Sequence, residues 1–584
     1  MAESAAVPDP VKLAAPIKPA ALVKLVSLKI DGREVQVPAG TSIIQATHDL
    51  GIDVPVFCYH PGLPVAGNCR MCMVEASNSK KPVTACTTPV AEGIEVRTQS
   101  EMAVKARAGV LELMLLNHPL DCPVCDKSGE CLLQDNSYSH GRGKSRMVEE
   151  KVLKHTKALG PSIWIWGNRC IVCTRCTRFC DEVAGTSELC VIERGDRSVI
   201  DILAGHPLEN PLAGNTVDLC PVGALISKDF LYQARVWNTT KTETICTGCA
   251  RGCNIEVQCI ENRIHRLVPR ENRAVNDWWM CDHGRFDYKY VESSERRLDL
   301  RLIDPTAPAA QPLQAAPGKF IAENLSGIAR RHGSRAVAGL GSSFLTLEEL
   351  HLLKKLFATL GSGRLGALAC PDGKEERFKR GFIISADKNP NREGARRVLG
   401  ADCFDNGLED VLTGIHRGEV RGLLAVSNLP HSPLDARLVQ LLGKLEFAVV
   451  FLLEEDARVP AAISLLPATT FAEKDGAMIN DRGRVQRLRP ATALPRTVRT
   501  EIDILQEALI VLGERRHALS AAGLFREIGR EEIPELKDRS YRDLGSQGID
   551  LSLSPATGAS AGAAPQTAPA SPAASPVAAA KVRG

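Results

Sequence analysis

Fifteen of the chain's 20 cysteines, joined by one histidine, fall into four sets of four in its first half. The sets are Cys58, Cys69, Cys72 and Cys86; His118, Cys122, Cys125 and Cys131; Cys170, Cys173, Cys176 and Cys220; and Cys246, Cys249, Cys253 and Cys281. Thiolate is a soft donor, and four donors per site is the number a [2Fe–2S] or [4Fe–4S] cluster requires. Four such centres on one polypeptide would carry single electrons, so electron transfer is the chemistry these residues point to. Tetrahedral zinc accepts the same donors. It stands as the alternative for each set alone, most seriously for the histidine-containing one.

Spacing separates the sets. RCIVCTRCTRFC reads C-x2-C-x2-C-x3-C, close to the bacterial ferredoxin run, whose fourth cysteine precedes proline and serves another cluster. Here Cys180 precedes Asp181, and the cysteine–proline step is Cys220-Pro221, so Cys220 is taken as the fourth ligand. The first set is C-x10-C-x2-C-x13-C; Pro61, Gly62, Pro64 and Gly67 force a tight loop whose backbone N–H groups are free to face sulfur. In NHPLDCPVCDKSGEC a neutral imidazole replaces one thiolate, which removes a negative charge and raises the potential over an all-cysteine site. Arg175 and Arg178 read equally as cations that offset a cluster's charge or as ordinary surface residues. Cys180, Cys190, Cys259, Cys370 and Cys403 are left over and read as small apolar core residues. No residues suggest acid–base or nucleophilic catalysis, and no G-x-G-x-x-G follows a strand. Gly339-x-Gly341 reads as a plain strand-to-helix turn.

Several units must position these residues, because 584 residues exceed one core. A hydrophobic fraction of 44% with 24% charged residues is ordinary soluble globular material, and a net charge of +3 argues against a nucleic-acid surface. The longest apolar run, Phe447 to Leu453, is too short to span a membrane. Residues 1–22 lack signal-peptide order and read as a flexible arm. Residues 23–100 open with a strand to Ile30, an Asp31-Gly32 turn and a strand through Val35 and Val37. A helix from Ser42 to Leu50, capped by Thr41, follows. This order resembles the β-grasp fold of plant-type ferredoxins.

Residues 101–145 carry a helix over 101–117 and the second set. Residues 146–240 carry the third, with an irregular stretch between Cys176 and Cys220, and residues 241–297 form a compact unit around the fourth. From 298 to 551, strands Ala336–Ala338, Gly422–Val426 and Phe447–Leu453 alternate with helices Leu345–Leu360 and Leu434–Leu442, the pattern of a parallel α/β layer structure. Residues 552–584 are Ala/Pro/Ser-rich and are expected to be disordered. A large chain with tightly clustered C-x2-C pairs is expected in a reducing cytoplasm.

Taken in order, FCYHPGLPVAGNCRMCMVE, NHPLDCPVCDKSGEC, RCIVCTRCTRFCDEVAG, GNTVDLCPVGALISK, WMCDHGRFDY and AEKDGAMINDRGRVQR resemble the large, G-type iron–sulfur subunit of respiratory complex I, the NADH:quinone oxidoreductase. The resemblance implies a β-grasp [2Fe-2S] domain, small [4Fe-4S] modules and a degenerate molybdopterin-oxidoreductase-like α/β domain. It implies one [2Fe-2S] cluster on Cys58, Cys69, Cys72 and Cys86, and three [4Fe-4S] clusters on the other sets, iron being the only metal and no molybdopterin being expected. FMN and NADH would sit on a partner subunit. Electrons would pass from it to the first set, then the third, then the His118 set, and on through ferredoxin-like and quinone-module subunits, with ion translocation by the complex. The Cys246 set would lie off this route. The implied location is peripheral, on the cytoplasmic face of the inner (plasma) membrane. The alternative is an electron-transfer subunit of a soluble NAD-linked formate dehydrogenase or hydrogenase.

Overall fold

The computed structural model describes residues 24–304, 315–515 and 520–552. The expected N-terminal arm, and the tail from residue 553, lie outside the described residues.

Asp31 and Gly32 take φ of 44° and 81°, a turn whose twist matches that of the flanking strands. It joins β1 (Leu25–Ile30) to β2 (Arg33–Pro38) in register from Ile30 opposite Arg33. Helix α1 (Ile43–Asp49) is capped by Ser42 rather than Thr41: the Ser42 N–H donates to Gln45 Oε1 at 3.0 Å. With β3 (Met73–Ala76), β4 (Val83–Thr84) and β5 (Glu95–Arg97) the sheet has the order β2-β1-β5-β3-β4. Its apolar face closes on Ile43 and Ile44 of α1.

Helix α2 (Glu101–Leu115) starts at Ser100, whose Oγ accepts from the Ala103 N–H at 3.3 Å. Lys151 Nζ closes its C-terminal end, donating to the carbonyls of Leu115, Leu116 and His118 at 3.2, 2.9 and 2.7 Å. Helix α3 (Leu132–His140) begins immediately after Cys131. The third set lies among β6 (Thr156–Ala158), β7 (Ile163–Trp166), α4 (Arg175–Phe179), the hairpin β8 (Leu189–Ile192) and β9 (Val199–Ile202), α5 (Asn215–Leu219) and β10 (Leu225–Ser227). The stretch between Cys176 and Cys220 is therefore regular in part, while residues 203–214 form no helix or strand. Its elements are four or five residues long, too short for periodicity to register in sequence. The antiparallel strands β11 (Thr240–Ile245), β12 (Asn254–Ile260) and β13 (Arg263–Pro269), with α6 (Asp282–Phe286), carry the fourth set.

The α/β unit follows, with α7 (Pro317–His332), β14 (Val337–Ser342), α8 (Leu347–Thr359), β15 (Leu365–Leu368), the pair β16 (Glu376–Arg377) and β17 (Ile383–Ile384), α9 (Arg392–Leu399), α10 (Asn406–His416), β18 (Gly422–Ser427), α11 (Ala436–Leu442), β19 (Phe447–Leu452) and β20 (Ser464–Pro467). Strands order β15-β14-β18-β19-β20, all parallel. Alternate residues of β18 enter two different apolar clusters, Leu424 and Val426 one, Leu423 and Ala425 the other, so both faces are covered. Strands β21 (Gly476–Ile479) and β22 (Arg484–Leu488), helices α12 (Glu501–Val511), α13 (Ala521–Glu531) and α14 (Tyr541–Leu544), and β23 (Ile549–Asp550) complete it. Gly339 and Gly341 are not in a turn; they lie inside β14, where a Cβ on Gly339 would stand 2.4 Å from Phe357 of α8. Among the described residues no helix is long and apolar enough to cross a membrane.

Candidate metal centres

The four thiols of the first set meet. Cys58 hydrogen-bonds through sulfur to Cys69 and Cys86, and Cys72 to Cys86. Donation by Cys69 and Cys86 holds the Cys58 thiol far below its ordinary value and raises Cys69 and Cys86 in turn, so these three thiols interact through their sulfurs. The Cys58 N–H faces Cys69 Sγ at 3.3 Å. Arg70, between Cys69 and Cys72, has φ 59°, and Gly67 has φ 66°. Such left-handed residues turn successive N–H groups toward one point, making a concavity for anions.

The third set repeats this device with residues that resist it: Val172 and Thr174, both β-branched, take φ of 49° and 59°. The Val172 N–H faces Cys170 Sγ at 3.4 Å. All four cysteines of the set line one cavity whose other walls include Ile165, Ile200, Val222 and Leu225. Burial there, then repulsion from neighbouring thiolates, pushes Cys170 up to about 12; burial also takes Cys173 to about 11 and Cys176 higher still.

Arg175 and Arg178 are not surface cations. Arg175 is 7% exposed and donates to Leu219 O at 3.2 Å and to Tyr59 O at 2.5 Å. Arg178 donates to Thr174 O at 3.1 Å, and to Cys58 O and Pro64 O. Both span from the helix bearing Cys176 to the loop of the first set. Arg178 lies in Coulomb range of Cys58, Cys173, Cys176 and Cys69, and Arg175 of Cys173, Cys220 and Cys58.

In the second set Cys125 and Cys131 are buried and Cys122 is exposed. Burial, followed by the charges of Lys151 and Arg169, holds His118 down to about 4, which leaves its imidazole neutral and able to ligate. Arg169 is buried; it pairs with Asp121 at 2.8 Å and donates to Gly223 O at 3.4 Å. Gly223 follows the Cys220-Pro221 step, and a Cβ there would stand 2.1 Å from Cys125 Sγ. The Leu132 N–H donates to Pro221 O at 3.0 Å. Backbone of the third set thus forms a wall of the second.

All four cysteines of the fourth set are buried. The Gly248 and Gly284 N–H groups face Cys246 and Cys281 sulfur, each at 3.4 Å. Burial raises all four thiols, Cys281 to about 12. Asn215 of α5 holds the Met280 backbone at both ends, at 2.8 and 3.1 Å, which ties this set to the helix preceding Cys220. Of the remaining cysteines, Cys180, Cys259 and Cys403 are buried, Cys190 and Cys370 partly so.

These donor sets fit iron–sulfur clusters. Buried thiols that resist ionisation become thiolates when iron supplies the positive charge, and N–H groups aimed at sulfur compensate what charge remains. Among the described residues no group of three or more His, Cys, Asp or Glu is arranged to hold a single metal ion. In a [4Fe–4S] cluster each ligand binds its own iron, and in a [2Fe–2S] cluster two ligands bind each iron, around a sulfide core.

Fold and donor sets together define a class: an iron–sulfur protein with a 2Fe-2S ferredoxin domain, 4Fe-4S modules and a molybdopterin-oxidoreductase domain. Residues 23–101 match the 2Fe-2S iron-sulfur cluster binding domain and residues 107–146 the NADH-ubiquinone oxidoreductase-G iron-sulfur binding region. Residues 160–226 match the ferredoxin-like domain of NADH-quinone oxidoreductase subunit 3. Residues 239–293 match the molybdopterin oxidoreductase Fe4S4 domain and 390–509 molybdopterin oxidoreductase.

The chain is a homologue of the G subunit of NADH-quinone oxidoreductase and of the 75 kDa subunit of NADH-ubiquinone oxidoreductase. It is 38% identical to the Rickettsia felis G subunit over 338 residues, 58% of this chain and 50% of that protein. It is 39% identical to the 75 kDa subunit of Reclinomonas americana over 341 residues, covering 58% and 49%. Iron-sulfur protein 1 of NADH dehydrogenase [ubiquinone] from Solanum tuberosum is 38% identical over 348 residues, covering 58% and 46%. The chain spans about half the length of the curated relatives it matches. A solved NAD+-reducing [NiFe]-hydrogenase chain is 29% identical, covering 36% of this chain and 91% of that one, with a TM-score of 0.33.

Proposed function

We propose that this chain is the G-type electron-relay subunit of an NADH:quinone oxidoreductase. The proposed ligands are the four sets named above, one [2Fe-2S] cluster on the first and a [4Fe-4S] cluster on each of the others. When bound, these cofactors supply one-electron transfer, taken from a flavin-bearing NADH-oxidising partner and passed toward quinone, with ion translocation by the assembled complex. Everything else is done by the chain's own residues: they hold the clusters, exclude water and set potentials.

One observation carries the order first set, third set, second set. Arg175 and Arg178 join the first set to the third, and the Pro221–Gly223 backbone packs the third against the second. These contacts support a route that departs from chain order, although Cys69, His118 and Cys170 also line one cavity. The α/β domain would hold no molybdopterin. The units are proposed to run 23–100, 101–145, 146–240, 241–297 and 298–551.

Anaerobic purification with iron, sulfide and zinc analysis tests the reading; zinc without sulfide would sink it. His118→Cys tests the second set more sharply. It adds one negative charge, so the site keeps a cluster with a lower EPR-detected potential. An unchanged potential would show that His118 is not a ligand.

A further inference from the structure

The loop after β17, residues 385–391, crosses from the α/β unit to the fourth thiol set. The Ser385 N–H donates to Cys249 sulfur, and the Ala250 N–H donates to Asp387 O at 2.9 Å. Lys388 lies within Coulomb range of Cys249 and Cys281 and lines the cavity onto which Cys246 opens. That cavity also touches Phe344 and Pro430, beyond the carboxyl ends of β14 and β18, so it joins the thiol set to the switch point of the sheet.

Lys388 is held in place. Its Nζ donates to Ser385 O at 2.9 Å, and its stem lies against Gly373, where a Cβ would stand 2.7 Å from Lys388 Cε. Asn389 pins the loop to the end of β15, accepting from the Cys370 N–H at 2.7 Å and donating to Cys370 O at 3.0 Å. The neighbouring carboxylate, Asp387, is engaged by Arg392 at 2.9 Å and by the Asn389 side chain at 2.7 Å. Among the other charges here, Arg251 faces Asp481 at 3.8 Å and Asp282 faces Arg285 at 3.9 Å. Asp287, in range of Cys246, accepts from His431 at 2.8 Å.

We propose that Lys388 sets the reduction potential of a cluster held by Cys246, Cys249, Cys253 and Cys281, and that the α/β unit serves this cluster as its outer shell. The inference rests on the proposed occupancy of that set. A fixed cation beside a cluster favours the reduced, more negative state, and hydrogen bonds to its sulfurs act in the same direction. Lys388 and Ser385 supply one of each from a domain more than a hundred residues away in sequence.

The test is EPR-monitored redox titration of the full chain carrying Lys388→Met or Lys388→Arg, with iron and sulfide analysis. Lys388→Met keeps the stem and removes the charge. It is expected to weaken one-electron reduction of the fourth cluster by about tenfold, or about 59 mV, and to leave the other three in place. Lys388→Arg is expected to stay near the parent value. An unchanged potential in a Lys388→Met protein that retains the cluster overturns the proposal. So does loss of that cluster from both variants, which would make Lys388 a packing residue. Parent protein with iron and sulfide for only three clusters would refute the occupancy itself, before any variant is made.

Discussion

Arg178→Met removes a cation shared by two ligand sets while keeping an unbranched stem. Its guanidinium lies in Coulomb range of Cys58 and Cys69 on one side and Cys173 and Cys176 on the other. A unit charge about 6 Å from a cluster, at an effective dielectric near 20, is worth roughly 3 kcal/mol. Arg178 is only half-buried, so solvent screening brings this to about 1 kcal/mol. That corresponds to about 40 mV for one electron. Both the [2Fe-2S] and the third-set potentials are therefore expected to fall together, while those of the second and fourth sets move little. The variant also loses its bonds to Cys58 O and Pro64 O across the boundary between units. Charge-assisted bonds of this kind contribute about 1.5–3 kcal/mol each. Rehydration of the freed carbonyls leaves a net loss of about 2–3 kcal/mol, read as a lower unfolding temperature. Arg178→Lys separates the effects, because a lysine keeps the charge but not the fork that reaches both carbonyls. Its potentials should stay near the parent while its stability falls. If Arg178→Met retains both clusters at unchanged potentials, the shared-cation reasoning is wrong.

Two other perturbations read different parts of the molecule. Gly223→Ala places a methyl group 2.1 Å from Cys125 Sγ, closer than the two can approach, so the second cluster should be lost while EPR signals from the other three persist; a full complement of iron in that variant would refute the packing. Glu348 is fully buried in the α/β unit, where it accepts from Tyr541 OH at 2.6 Å and from the Ala477 N–H at 2.9 Å. Burial raises its carboxyl from 4.5 to about 7. A raised carboxyl binds its proton more tightly in the folded state, so the stabilisation is complete below pH 4.5 and is lost as pH rises through 7. Its size is about 3 kcal/mol. Glu348→Gln should flatten that part of the stability–pH curve in denaturant titrations; an unaltered slope would count against it.

The candidate donor sets stand out in the sequence because their spacing is local. C-x2-C pairs close one loop within a few residues, and the glycines that let the first loop turn stand in the same string. The Asp31-Gly32 hairpin and the long apolar strands of the α/β unit were legible for the same reason, since turn type and buried runs are properties of short segments. Thr41 was expected to cap α1 and Ser42 does so, a one-residue difference between two equally good capping side chains. The Gly339-x-Gly341 pair was misread because two glycines announce conformational freedom, whereas here they make room for Phe357. The strands β8 and β9 and helix α5 between Cys176 and Cys220 show no periodicity because each is only four or five residues long.

By itself, then, the sequence marked out the candidate donor sets, the glycines that let the first loop turn, and the alternation that becomes a parallel sheet. It left Arg175 and Arg178 undecided between surface and site, and it contained no sign that Lys388 or Ser385 belongs beside the fourth set. Those answers came from tertiary structure alone. Each depends on how separately folded units pack, and a guanidinium becomes a bridge only when a carbonyl more than a hundred residues away is carried to its tip. The order of the sets in space has the same origin. Chain order records when each loop is made, whereas packing of Pro221 to Gly223 on Cys125, and of α4 on the loop after Cys58, decides which loops stand next to each other.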